Sequence, residues 1–183
     1  MIEEVGENDV KRVLSNFISE NEEVENFIRY KAIEFAKRKW SITYLMSDDD
    51  TKNILGIFTL TSKAVQVNVS KLLSKKVKRI AKEFSISEND SRRITSTAFL
   101  LAQFSKNLKY RDKTTGEKLL EEALKVLEEV QTKVGGRLLW LECENTNIDA
   151  LNFYKREEFG FQQFNTRYDE QSGVKYIQMI RSF

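Results

Sequence analysis

The fold is decided by residues 97–143, which read TAFLLAQFSKN (97–107), LKYRDKTTGEK (108–118), LLEEALKVLEEVQTKVGG (119–136) and RLLWLEC (137–143). The first and last segments are short, apolar and bounded by polar residues, which is typical of strands buried on both faces of a sheet. In the third segment apolar residues recur at helical spacing, at Leu119, Leu120, Ala123, Leu124, Leu127 and Val130. The stretch therefore predicts a strand, a helix and a second strand parallel to the first.

The charged turn in this unit leads directly into the helix. We expect the helix to begin at Gly116 and to end at Gly135-Gly136, because glycine adopts the left-handed backbone conformation of a helix end without a steric penalty. A helix N-terminus offers unpaired N–H groups and a positive dipole end to a phosphate, and Arg111 and Lys113 add positive charge. Two interpretations remain open: a solvated loop with a threonine cap, or an anion site at the carboxyl end of a strand.

The composition predicts one soluble domain over residues 1–183, because 40% of the residues are hydrophobic and 32% are charged. No apolar run is long enough to cross a bilayer and no signal peptide is recognisable, so we expect a cytoplasmic protein without a membrane partner. The single Cys143 is interpreted as a structural thiol. The sequence has no histidine, which excludes Ser-His and Cys-His nucleophiles and removes the commonest metal ligand, so no metal is expected.

Two amphipathic helices are predicted near the N-terminus. Apolar residues at helical spacing mark the first within residues 10–18 and the second within residues 24–36. Ser19 and Glu22 have the spacing of a capping box between them.

An antiparallel hairpin is predicted next, from strands at 41–46 and 54–61. The segment AVQVNV (64–69) predicts a third strand, and residues 73–84 predict a short basic helix. We expect SISENDSRRIT (85–95) to be a connector that leads to the central unit.

The C-terminal part predicts a helix followed by a hairpin. Apolar residues within 144–159 repeat at helical spacing, and Asn147 is the expected N-cap. Strands are expected at 161–168 and 176–183, with Gly173 in the turn between them.

Charge is unevenly distributed along the chain. Residues 1–30 contain eight acidic and three basic residues, whereas residues 63–93 contain nine basic and three acidic residues. The second segment fits either a surface for a polyanion such as a nucleic acid, or a solvated basic helix face.

Two motifs resemble those of the GNAT superfamily of N-acetyltransferases. The family's loop R/Q-x-x-G-x-G/A, which follows its fourth strand, is matched at Arg111 and Gly116, with Thr114 in place of the first glycine. The segment ENTNIDALNFYKREEFGF (144–161) resembles the family's second landmark, an Asn and an Ala followed by a Phe-Tyr pair and a Gly-Phe. Either Phe159 is the matching phenylalanine, with Glu158 at the glycine position, or Gly160-Phe161 matches after an insertion of two residues. The resemblance covers residues 42–181.

The resemblance implies an α/β fold, with a mixed central sheet of about six or seven strands, helices on both faces and splayed fourth and fifth strands. It implies acetyl-CoA as co-substrate, with its pyrophosphate on the turn and its pantetheine arm along the fourth strand. The cofactor-binding residues that it implies are Ala102, Gln103, Phe104, Arg111, Lys113, Thr114, Thr115, Gly116, Glu117, Lys118 and Asn147.

The resemblance also assigns a catalytic residue. Family members with a tyrosine at the position of Tyr154 use it to protonate the departing thiolate of coenzyme A, whereas the residues alone would suggest a core aromatic. The resemblance does not assign the general base. Glu142 and Glu144 lie on or just past the predicted fifth strand, and Glu142 is the candidate, although a strand-end carboxylate is often merely solvated and water is the alternative.

The segments around residues 102–107, 134–144 and 151–167 are similar to a GNAT branch that includes toxins of bacterial toxin–antitoxin modules. Those toxins acetylate aminoacyl-tRNA and usually pair with a ribbon-helix-helix antitoxin. The sequence therefore gives three hypotheses for the function. The first is acetyl transfer to a primary amine of an unidentified acceptor, the second is toxin-type acetylation of aminoacyl-tRNA, and the third is a non-catalytic nucleic-acid or acyl-CoA binding module. A monomer or a homodimer is expected.

Overall fold

A computed structural model describes residues 6–48, 50, 53–83, 85–90 and 93–183, with the backbone alone described for 85–90. These residues form six α-helices, one short 3₁₀ helix and seven strands. The helices are α1 (Glu7–Ser15), α2 (Glu22–Tyr30), α3 (Ala32–Lys37), α4 (Lys75–Glu83), α5 (Gly116–Val134) and α6 (Ile148–Lys155). The strands are β1 (Ile42–Ser47), β2 (Ile54–Asn68), β3 (Ser85–Asp90), β4 (Arg93–Lys106), β5 (Leu138–Glu144), β6 (Gln162–Tyr168) and β7 (Lys175–Ser182).

The strands form one sheet in the order β1-β2-β4-β5-β7-β6, and β3 pairs with β4. The β1/β2, β3/β4, β5/β7 and β6/β7 pairs are antiparallel. The predicted α/β fold with about six or seven strands is confirmed, and so is the placement of β4 beside β5 after an intervening helix. The predicted splay of these two strands stays a prediction.

The chain divides into two compact units. Unit 1 contains the residues up to Thr61 together with Leu101–Lys133, and unit 2 contains Ser62–Leu100 and Val134–Phe183. Strands β2 and β4 each contribute residues to both units. The expectation of one domain over residues 1–183 stays a prediction.

The core of unit 1 is formed where the three N-terminal helices pack on Ile57 of β2, and it comprises Val10, Leu14, Phe17, Val24, Ile28, Ala32 and Ile57. Helix α5 buries Leu119, Leu120, Ala123 and Leu127 of its predicted stripe, whereas Leu124 and Val130 are half-buried. A Cβ atom at Gly56 would lie 3.0 Å from Leu119 and 3.3 Å from the carbonyl oxygen of Ser105. The glycine therefore permits the close approach of this helix to β2.

The core of unit 2 lies under α4. The apolar face of this helix, formed by Val77, Ile80 and Ala81, packs in one cluster with Val65, Val67, Val69, Leu72, Ile94, Ala98, Leu100, Leu138, Trp140, Phe164 and Ile180. Among the described residues of both units, no helix combines the length and the apolar character that crossing a membrane requires.

The predicted helix over 24–36 is wrong as a single element, because the chain breaks it at Lys31, where φ is −122°. The predicted capping box is also wrong. The Oδ1 atom of Asn21 accepts the N–H groups of Glu23 (2.8 Å) and Val24 (3.3 Å), so Asn21 is the N-cap of α2. The Oγ atom of Ser19 instead accepts the N–H of Asn21.

Two strand predictions are also corrected. The segment 64–69 is not a separate strand, because β2 continues through the polar residues 61–63 to Asn68. Residues 85–95 are not a connector, since they contain β3 and the first residues of β4, paired antiparallel. Strand pairing satisfies backbone groups whatever the side chains are, so a polar segment can still form a strand. Leu73 lies before α4 and is 87% exposed, and Phe84 lies outside the described residues.

Candidate active site

The turn after β4 is organised by Asn107, whose side chain is 2% exposed. Its Nδ2 atom donates to the carbonyl oxygen of Ile54 (2.8 Å), and its Oδ1 atom accepts the N–H groups of Lys109 (3.1 Å) and Ile18 (3.4 Å). These bonds fix the path of the chain into the 3₁₀ helix Leu108–Tyr110. The sequence analysis missed this residue, and its signal is a polar side chain at the junction of an apolar strand and a charged turn.

The turn over residues 108–118 carries four exposed cations, which are Lys109, Arg111, Lys113 and Lys118. The Nζ atom of Lys113 lies 3.0 Å from Oδ2 of Asp48, although nearly half of the lysine side chain is exposed. Arg111 and Lys118 are exposed. The positive charge that the sequence predicts is therefore present at the surface of the turn, with Lys113 held by an ion pair.

The two threonine hydroxyls of the turn have partners within the protein. Thr114 is 3% exposed and its Oγ1 atom donates to the sulfur of Met46 (3.6 Å). Thr115 Oγ1 accepts the N–H of Lys118 (3.3 Å) and so caps the first turn of α5. The Thr114 hydroxyl is therefore buried and engaged, whereas exposed Thr115 uses only an acceptor position of its hydroxyl in the cap. The turn presents to an anion chiefly its cations and the N–H groups at the start of the helix.

Tyr154 is held in a buried position by α6. The helix is capped by Asn147, whose Oδ1 atom accepts the N–H of Ala150 (3.0 Å). The Tyr154 side chain is 6% exposed and packs edge-on against Phe161, with ring centroids 5.5 Å apart. Burial, with a further contribution from the nearby Cys143 thiol, raises the pKa of Tyr154 well above its ordinary value. The phenol therefore keeps its proton at neutral pH. Its role as the general acid stays a prediction.

Cys143 does not behave as a nucleophile at neutral pH. Burial raises the pKa of its thiol to about 12, and the charge of Glu144 adds to this effect. A thiol with such a pKa stays protonated, in agreement with the expected structural role.

Glu142, the candidate base, is surrounded by hydrogen-bond donors. Its Oε1 atom accepts Nε2 of Gln178 (2.6 Å) and Nε of Arg167 (3.1 Å), and its Oε2 atom accepts Nη2 of Arg167 (2.9 Å). Gln178 is the direct partner of Glu142 in the β5/β7 register. The sequence analysis missed both donors, although alternate positions along the terminal hairpin are a signal for side chains on one face. The role of Glu142 as a base stays a prediction.

Helix α4 has a positive face. Lys75, Lys76, Arg79 and Lys82 are exposed, whereas Val77, Ile80 and Ala81 are buried. The predicted basic helix is thus confirmed, and its cations lie opposite the face that packs into the core of unit 2.

Both ends of α4 are anchored. Before its N-terminus, Oε1 of Gln162 accepts the N–H groups of Leu73 (2.9 Å) and Ser74 (3.0 Å). At its C-terminus, Glu83 lies 3.4 Å from Arg79 and 3.7 Å from Arg137. The helix that carries the positive face is therefore contacted at both of its ends by side chains from other segments, Gln162 and Arg137.

The predicted site residues are divided between the units. Unit 1 contains residues 102–104, of which Ala102 is exposed, and residues 111–118. Unit 2 contains Glu142, Asn147 and Tyr154. Their assembly into one site stays a prediction.

Residues 98–161 match the model of the Acetyltransferase (GNAT) family. This segment contains the turn, α5, β5 and Tyr154. No curated protein matches the chain.

Several solved structures share the fold. AtaT complexed with acetyl-methionyl-tRNAfMet has a TM-score of 0.62 and 19% identity, covering 89% of this chain and 85% of that chain. A tyrosine-to-phenylalanine mutant of the AtaT toxin, bound to the C-terminus of the antitoxin AtaR and acetyl-CoA, has a TM-score of 0.60 and 16% identity, covering 92% and 84%. A tyrosine-to-phenylalanine mutant of KacT has a TM-score of 0.62 and 21% identity, covering 89% and 85%.

Proposed function

We propose that this chain is a GNAT acetyltransferase that transfers an acetyl group directly from acetyl-CoA to a primary amine. The observation that carries the proposal is the family match over residues 98–161, because one matched segment contains both the phosphate-type turn and Tyr154. The structure of the AtaT mutant bound to acetyl-CoA supports the choice of acyl donor.

The residues of the turn fit the pyrophosphate of acetyl-CoA. The N–H groups from Lys113 to Lys118 belong to the turn and the first turn of α5, where a helix favours an anion. Two of them already have partners, since the N–H of Lys113 bonds to the carbonyl oxygen of Tyr110 and that of Lys118 bonds to Thr115. Arg111 and Lys118 supply charge, and Lys113 would contribute after leaving Asp48. Residues 102–104 would bind the pantetheine arm.

The chemistry assigned to the protein is proton transfer. The amine nitrogen forms a bond to the acetyl carbon while the carbon–sulfur bond breaks, and the departing thiolate takes the phenolic proton of Tyr154. The surplus proton of the amine passes to Glu142 or to water. Tyr154 is protonated at neutral pH and can supply this proton, although the burial that raises its pKa also makes it a weaker acid.

Native mass spectrometry combined with an acetylation assay tests this proposal. We expect the purified protein to bind acetyl-CoA and to release free coenzyme A only when an amine is present. A protein that binds nucleic acid but neither binds nor consumes acetyl-CoA would support the non-catalytic module instead.

A second candidate function is acetylation of aminoacyl-tRNA by a toxin. The exposed cations of α4 favour it, because phosphate contacts dominate the binding of nucleic acids. The related AtaT structures, one with an acetylated tRNA and one with an antitoxin, support it as well. Under this function the chain would also pair with an antitoxin, for which a ribbon-helix-helix protein is the expected type.

Replacement of Lys75, Lys76, Lys78 and Arg79 with alanine tests this candidate. We expect tRNA acetylation and growth arrest on expression to be lost, and acetyl-CoA binding to be retained. Each lost phosphate contact should reduce the slope of log affinity against log salt concentration by about 0.7–0.9. The matched control replaces four exposed lysines elsewhere, Lys31, Lys39, Lys133 and Lys155. Efficient acetylation of a free amine by wild type and variant, without acetylated tRNA, would exclude the toxin function.

A further inference from the structure

The carboxylate of Glu142 is already engaged by two side chains of the protein, Gln178 and Arg167. A carboxylate offers about four lone-pair positions. Three N–H groups contact them: Nε2 of Gln178 lies 2.6 Å from Oε1, Nη2 of Arg167 lies 2.9 Å from Oε2, and the single Nε–H of Arg167 is shared between Oε1 (3.1 Å) and Oε2 (3.3 Å). An ammonium or amine of an acceptor would have to displace one of these donors.

Of the two donors, Arg167 is the one that can move. Gln178 is 8% exposed and lies in the middle of β7, whereas 42% of the Arg167 side chain is exposed. Arg167 belongs to β6, which forms one end of the sheet order, and its guanidinium lies 4.5 Å from the ring centroid of Tyr176. The guanidinium stacks on this aromatic face, and its greater exposure makes it, of the two donors, the one that packing holds less firmly.

Arg167 also has a second anionic partner already in place. Its Nη1 atom lies 3.1 Å from Oδ2 of Asp169. The guanidinium therefore bridges two carboxylates, and release from Glu142 would leave it paired with Asp169. An anionic group on a ligand would provide a third partner, because the planar guanidinium binds phosphate with two parallel hydrogen bonds.

We propose that Arg167 is a movable cover over Glu142, and that an anionic group on the acceptor draws it away so that Glu142 can bind the acceptor's amine. Arg167 is then a positioning residue that makes the enzyme selective for amines carrying a nearby phosphate or phosphodiester. The inference rests on the proposed function, since it takes Glu142 as the group that meets the amine.

A pair of small amines that differ only in a phosphate tests the selectivity. Ethanolamine and phosphoethanolamine are compared as acceptors for wild type, Arg167→Ala and Arg167→Lys. We expect wild type to prefer phosphoethanolamine by about tenfold or more in kcat/KM, because one charge-assisted contact is worth at least that factor. Arg167→Ala should abolish this preference by raising KM for phosphoethanolamine and increasing kcat/KM for ethanolamine. Arg167→Lys keeps the positive charge but cannot form two parallel hydrogen bonds to phosphate. This variant should therefore show part of the wild-type preference for phosphoethanolamine.

The matched control is Arg38→Ala. Arg38 is likewise exposed, ion-paired with Glu34 and stacked over an aromatic ring, that of Trp40. We expect this variant to keep the wild-type ratio of the two amines. An unchanged ratio in Arg167→Ala would overturn the proposal.

A second measurement does not depend on turnover. The Nε–H resonance of Arg167, assigned by its disappearance in Arg167→Lys, is followed by NMR while inorganic phosphate is added. A shift of this resonance that saturates supports the movable cover, and its absence overturns it. If the resonance shifts but no variant acetylates either amine or charged tRNA, the proposed acetyltransferase function fails while the movement of Arg167 stands.

Discussion

Helices α5 and α6 both follow a strand and both begin at a side-chain cap, but they present different groups. The start of α5, in unit 1, is exposed and cationic, and the hydroxyl of Thr115 caps it at 3.3 Å. The start of α6, in unit 2, is capped by Asn147 at 3.0 Å and leads within two turns to the buried Tyr154. Under the proposed function, the first helix terminus would bind an anion through its backbone, and the second would position one side chain for proton transfer.

The difference follows from how each helix is buried. Helix α5 has 19 residues, and Leu119, Leu120, Ala123 and Leu127 are at most 1% exposed. Helix α6 has eight residues, of which only Leu151 and Tyr154 are buried. A long helix fixed by its own core can leave its first turn open to a ligand. The short helix α6 has only two buried residues, and one of them is Tyr154, the candidate general acid.

Replacement of Tyr154 with phenylalanine should have the largest effect. General acid catalysis contributes ~10²–10⁴-fold, so we expect kcat to fall by that factor while acetyl-CoA affinity barely changes. Steady-state kinetics and calorimetry measure the two quantities. Tyr30→Phe, at a tyrosine that is 76% exposed, is the control. Full activity in Tyr154→Phe would mean that α6 supplies packing only.

Replacement of Gly116 with aspartate should have the next largest effect, and on the other helix. A carboxylate at the phosphate position should cost at least ~1.5–3 kcal/mol of acetyl-CoA binding, because charge-assisted bonds are lost and repulsion is added. Calorimetry measures the affinity. Gln171→Asp adds the same charge to an exposed turn and should leave binding unchanged. Unchanged affinity in Gly116→Asp would exclude the start of α5 as the cofactor site.

Loss of the two N-caps should have the smallest effect. The loss of stability should differ between α5 and α6. We expect Asn147→Ala to lower the free energy of unfolding by about 1 kcal/mol, since an N-cap is worth that amount and α6 has little other support. Thr115→Ala should cost about 0.5 kcal/mol, at the lower end for a cap, because its bond is longer and α5 is held by its buried stripe. Urea denaturation measures the free energy of unfolding of both variants. A larger decrease in Thr115→Ala than in Asn147→Ala would contradict the prediction.

Much of the fold was predictable because its signals are local. The helix from Gly116 to Val134, the basic helix α4 and the Asn147 cap were all predicted from spacing within a few residues. The errors occurred where a choice depended on a distant partner. The polar residues 61–63 are extended within β2, and the polar segment 85–90 is a strand because it pairs with β4.

In the candidate site, too, some features follow from neighbouring residues and others depend on distant partners. The sequence by itself determined which residue types follow β4 and β5, because a helix start, a cap and a cation in a turn are properties of neighbouring residues. Only the tertiary structure decided which of them are engaged. Lys113 pairs with a carboxylate 65 residues away, Asn107 bonds to a carbonyl 53 residues away, and Glu142 is covered by an arginine 25 residues away. Such pairs form only when strand order and register bring distant segments together, and burial likewise raises the pKa of Tyr154 only once α6 has packed.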